Sequence, residues 1–139
     1  MKGSTMSRYL LVAGTLFAVW LAPAIGIAQN NKQAEPACVK ADKELNRVYK
    51  NVRIAYKDDP LFLEKLKAAQ RAWVKFRDGH MDSRYPLDQN EYGSIFRDCW
   101  CSELATITEA RTKQLKQWLK GAPEGEGCSG SYKFEHQLE

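Results

Sequence analysis

The sequence has no strand-like alternation of useful length, no internal repeat and only two histidines, His80 and His136. Scarce imidazole matters, because most metal centres and activated nucleophiles draw on it. No Ser or Cys stands near either histidine at an interpretable spacing. Cys99-Trp100-Cys101 is too close-set for a zinc knuckle, so no metal and no cofactor is expected. Glu44, Glu64 and Glu103 fall on different or exposed helix faces and form no acid–base pair. No catalytic residue is assigned, and an enzyme is the weakest reading.

What is present begins with a leader. Lys2 and Arg8 precede an uncharged stretch from Tyr9 to Ala28, broken at Pro23, with Gly26 and Ala28 at the −3 and −1 positions of a signal-peptidase site. Residues 1–28 therefore read as a secretory signal peptide, followed by a flexible segment over 29–36. The alternative is an uncleaved anchor, since the stretch approaches spanning length. Pro23 near the small-residue exit favours cleavage, and stable membrane insertion is not expected after it. Glu35-Pro36-Ala37 precede Cys38 where a lipobox would stand, which argues against lipid anchoring. The expected location is periplasmic or secreted.

Cleavage after Ala28 leaves 111 residues, enough for one domain and too few for two. These carry 19 basic and 17 acidic side chains, so net charge says little about partners. Its distribution says more. Eleven Lys and Arg face six Asp and Glu between Pro36 and Asp78, a basic half set against a more acidic remainder. Nucleic acid is excluded by compartment and by the lack of exposed aromatics among those cations. All four cysteines, Cys38, Cys99, Cys101 and Cys128, follow the leader, and an even count in a small exported domain reads as two disulfides.

Cys38, Ala41, Leu45, Val48, Tyr49, Val52 and Tyr56 recur at three and four residues, which predicts a helix over Ala37 to Lys57. Asp58-Asp59-Pro60 ends it, with Asp59 as N-cap and Pro60 as first residue of a second helix running to about His80. A third starts near Ser94, carries Arg97, Trp100, Cys101, Leu104, Ile107, Thr108, Arg111, Leu115 and Trp118 on one side, and stops at Gly121 and Pro123. The expected fold is all-α: a small disulfide-stapled antiparallel bundle of three helices over 37–120, with a long loop from Met81 to Gly93 and an irregular Gly-rich tail over 121–139. In that register Cys38 approaches Cys99 or Cys101. Projection at 100° per residue puts Cys101 beside the core stripe, which favours Cys38 with Cys101 and leaves Cys99 to Cys128 in a tail folded back along the third helix. Glu135 to Glu139 are given no function.

Gln70, Trp73 and Arg77 share one face of the second helix, placing an amide and a guanidinium beside a core Trp. Such groups need partners, because an unbonded buried polar group costs about 1–3 kcal/mol. Asn46, Thr108 and Arg111 fall at the level of Gln70, and Asp42 at that of Arg77. The expectation is an inter-helix network in which Gln70 and Asn46 satisfy each other and Arg111 while Arg77 turns to Asp42.

Several segments together resemble the lysozyme-inhibitor LprI-like family of small exported bacterial proteins. They are Ala41-Asp42-Lys43-Glu44-Leu45-Asn46-Arg47-Val48-Tyr49, the run Gln70 to Asp78, Gly93-Ser94, and Thr108-Glu109-Ala110-Arg111-Thr112 followed by Leu115. The chain departs from the family pattern after Arg77-Asp78, where Gly79-His80-Met81 stand in place of an expected cysteine, so disulfide connectivity is not carried over. The resemblance implies a protein partner, a lysozyme or other cell-wall hydrolase.

A surface that blocks a saccharide cleft must meet carboxylic acids within basic surroundings. The loop from Asp82 to Tyr92 offers three acids, one Arg, two tyrosines and a Pro, and Asp82, Arg84, Tyr85, Asp88, Glu91 and Tyr92 are its candidate binding residues. A solvated connecting loop would have the same composition. The alternative is a periplasmic immunity protein or an envelope assembly module that uses the helical face of Lys40, Lys43, Arg47, Lys50 and Arg53, where solvated cations are also expected.

Overall fold

The computed structural model describes residues 35–138. The expected leader and most of the segment over 29–36 lie outside the described residues. Three helices form α1 (Ala37–Ala55), α2 (Pro60–Arg84) and α3 (Phe96–Lys120), with no strand among the described residues beyond a single bridge between Ala122 and Phe134.

Helix α1 buries Ala41, Leu45, Val48 and Val52 along one stripe, and Tyr56 continues it just past the last turn. The Asp59 carboxylate accepts from the Phe62 backbone N–H at 2.9 Å and Pro60 opens α2, so the predicted cap forms. Helix α2 then runs one turn beyond the expected stop at His80. Gly79 is accommodated within the helix, Met81 buries its side chain, and the chain leaves helical geometry at Tyr85 (φ −129°), the residue that Pro86 excludes from the α region. Asp82, Ser83 and Arg84 are thus helical. The connection is shortened to 85–95, with a 3-10 turn at Gln89–Tyr92.

Tyr56, Phe62, Leu66 and Leu115 join the α1 stripe in the core, with Trp73, Trp118 and Leu138 packed against it. Two ends are defined by what meets there. Cys38 is bonded to Cys101, with Cα atoms 5.0 Å apart, so α1 and α3 start together. Arg77 lies 3.9 Å from Asp42, which brings the last third of α2 to the same end. At the opposite end the Tyr56 and Phe62 rings lie 4.4 Å apart, with Phe62 and Trp118 at 5.9 Å. The α1–α3 pairing is the more intimate one; α2 touches α3 at few places.

The tail closes on this second end. Gly121 (φ 79°) turns the chain where an added Cβ would lie 2.9 Å from the Lys133 carbonyl oxygen, so no other residue fits the turn. The Tyr56 hydroxyl donates to the Trp118 carbonyl at 3.2 Å and accepts from the Lys133 N–H at 2.9 Å, while Lys133 Nζ donates to the Ala55 carbonyl at 2.8 Å. Burial pushes the Tyr56 pKa up.

The expected Cys99–Cys128 bridge does not form. Both thiols are free and exposed, because the tail folds onto the C-terminal end of α3 and not back along it. The helix between Cys99 and Lys120 spans about 30 Å at 1.5 Å per residue, a separation that the retained tail does not cross. Hydrogen bonds and Leu138, not Cys128, hold the tail in place.

Candidate functional site

Of the six candidate binding residues, three are committed to structure. Tyr85, Tyr92 and Phe96 form an aromatic cluster, with the two tyrosine rings at 5.7 Å and Tyr92 stacked on Phe96 at 5.1 Å. The Tyr92 hydroxyl also accepts the Leu87 N–H at 2.9 Å, which fixes the loop on its own ring. Arg84 pairs with Glu103 at 3.4 Å and lies over Tyr85, and its pKa is held above the ordinary value first by the Tyr85 side chain and then by the Glu103 carboxylate. Asp82, Asp88 and Glu91 are exposed and carry no ion pair among the described residues.

Two apolar side chains not selected from the sequence stand among these acids. Leu87 is 58% exposed and Ile95 65%. Nothing in their spacing marks them, since both lie in the connection where neither helical nor strand periodicity operates. Trp100, expected on the core side of α3, is part-exposed and walls a groove of about 380 Å³ beside the disulfide, together with Asp42, Arg77 and Leu104. Arg97 is likewise exposed. This end is therefore a charged, partly apolar surface, with Asp82, Asp88 and Glu91 beside the exposed Arg84 and Arg97, on an aromatic base.

The polar network forms only in part. Arg111 Nε donates to Gln70 Oε1 at 3.0 Å and Nη1 donates to Gln114 at 3.1 Å. Asn46 does not reach Gln70. Its amide donates to Asp42 one turn earlier at 2.9 Å, a local carboxylate being nearer than the neighbouring helix. Thr108 is buried and gives its carbonyl oxygen to the Thr112 hydroxyl at 2.9 Å, apart from Gln70. Arg77 bonds mainly to Asp78 at 2.7 Å, lies over the Trp73 ring at 5.4 Å, and meets Asp42 only at 3.9 Å. Burial pulls the Arg111 pKa down, and its Nη2 is buried without a partner.

The cationic face of α1 is partly neutralised. Lys43 pairs with Glu35, and Arg47 with Glu44 at 2.7 Å. Glu44 also meets Lys116 of α3 at 2.9 Å, and Arg47 and Lys116 together hold its carboxyl at about 2. Among the described residues no cluster of three or more His, Cys, Asp or Glu side chains could hold a metal ion, and no helix is long and apolar enough to cross a membrane.

No curated protein and no solved structure matches the chain. The family model described as lysozyme inhibitor LprI matches residues 24–115, a span that includes α1, α2, the connecting loop and most of α3. The chain belongs to the LprI lysozyme inhibitor family.

Proposed function

We propose that the chain is an exported, non-enzymatic binding protein that inhibits a lysozyme by laying its 82–95 end across the saccharide cleft. The observation that carries this reading is the exposure of Leu87 and Ile95 in the same segment that exposes Asp82, Asp88 and Glu91, built on the Tyr85, Tyr92 and Phe96 ring cluster. Apolar contacts ringed by charge suit a protein interface, and the acids suit the basic surroundings of a lysozyme cleft. Tyr85 and Tyr92 support the loop from behind through their rings, while Arg84, paired with Glu103, stays exposed beside it.

The immunity or envelope-module reading rests on the α1 face, where Lys43 and Arg47 are already paired. An interaction through that face would have to compete with those pairs, which leaves the loop end as the better-supported surface.

The test is inhibition of c-type, g-type and bacterial lysozymes by the mature protein and by a Leu87→Ser/Asp88→Lys variant. Both side chains are exposed, so the fold should persist by circular dichroism. Inhibition should weaken at least tenfold, whereas undiminished inhibition by the variant would remove this end from the interface.

A further inference from the structure

A second surface lies between α1 and α2, where the two helices part and leave a groove of about 580 Å³. Its rim carries Arg53 from α1 and Lys67, Arg71 and Lys75 from α2. None of these four cations has an acidic partner among the described residues. The groove shares no residue with the 82–95 end.

The chemistry of the walls restricts the occupant. Gln70 lines the groove, but its amide oxygen already accepts from Arg111, so its NH2 is the group left to offer. Donors and positive charge therefore dominate, and the ligand must be an acceptor-rich anion. Tyr49 and Val74 add an apolar floor, which calls for an apolar component as well. The face of Tyr49 is taken by the Arg53 guanidinium at 5.9 Å, so it is not a free platform for stacking a sugar ring.

The spacing of the cations narrows the choice further. Lys67, Arg71 and Lys75 recur every four residues along α2, so their attachment points rise by about 6 Å per step. Alternate residues of an extended peptide are spaced by about 6.6–6.8 Å, and their intervening side chains point the other way. Carboxylates at every second position would meet the cations while the apolar side chains between them turn to the floor or to solvent.

We propose that the α1–α2 groove binds an extended acidic peptide segment of a partner protein, with alternating carboxylates paired to Lys67, Arg71 and Lys75 and closed over by Arg53.

The probe is a fluorescein-labelled eight-residue peptide of alternating Glu and Val, titrated with the full mature protein near physiological salt and read by anisotropy. Saturable binding is expected. It should weaken at least tenfold in Arg71→Glu/Lys75→Glu and stay within twofold in Lys113→Glu, a charge reversal on exposed α3 outside the groove. Circular dichroism melting verifies that each variant is folded. Absent binding, equal loss in both variants, or undiminished binding by the groove variant overturns the proposal. So does tighter binding to phosphatidylglycerol vesicles or to polygalacturonate, which would assign the groove to a membrane or an acidic glycan.

Discussion

Gln70 and Arg111 meet at 3.0 Å, and this contact gives the polar face of α2 its partner on α3. Removing Gln70 leaves a part-buried guanidinium whose Nη2 already lacks a partner, so the loss falls on a group with little alternative. Gln70→Ala should destabilise the protein by about 1–3 kcal/mol, measured by urea unfolding. Gln70→Leu/Arg111→Met removes both polar partners at once and should recover most of that loss. Equal destabilisation in the single and double variants would show that the contact is not what the site requires. The amide was legible in the sequence as a group in need of a partner, and Arg111 as one candidate. Asn46 was not separable from it, because helical spacing gives the level of a side chain and not which neighbour it reaches first.

At the scale of elements, α1 and α3 are tied by a carboxylate as well as by packing. Glu44 holds Arg47 on its own helix and Lys116 on α3, and those cations lower its pKa from 4.5 to about 2. A carboxyl with a depressed folded pKa contributes stability that is complete above its unfolded value and is lost as pH falls through the folded one. Melting temperature should therefore fall between about pH 4.5 and 2 more steeply in the wild type than in Glu44→Gln, followed by circular dichroism. Parallel curves would show that Glu44 does not couple the helices. The existence of all three helices and the Asp59-Pro60 start were readable from periodicity and capping. The end of α2 was not, since Gly79 resembles a stop while Met81 buries its side chain and the helix runs on to Arg84, with Tyr85 before Pro86 already outside it.

For the whole molecule, one covalent link joins the starts of α1 and α3 across 63 residues. Closing a loop of that length in the unfolded chain stabilises the fold by about 4 kcal/mol on the chain-entropy account, and Cys38→Ser/Cys101→Ser should lower unfolding stability by roughly that amount. In the native protein, Cys99 and Cys128 should each accept a maleimide while Cys38 and Cys101 remain bridged, as mass mapping of a non-reduced digest will read. A recovered Cys99–Cys128 peptide pair would mean that the tail packs differently.

Sequence alone determined the three helices and the family, because apolar spacing, capping residues and ordered motifs are local or additive properties of the chain, and it favoured Cys101 over Cys99 as the partner of Cys38, a choice the tertiary structure settled. Only tertiary structure decided where the tail lies, which of the loop's residues face solvent, and that Lys67, Arg71, Lys75 and Arg53 border one groove. Those outcomes depend on competition among distant groups for the same space and the same hydrogen bonds. A hydroxyl on Tyr56 and a glycine at position 121 set the course of the seventeen described residues that follow that glycine, and neither residue's spacing announces that role.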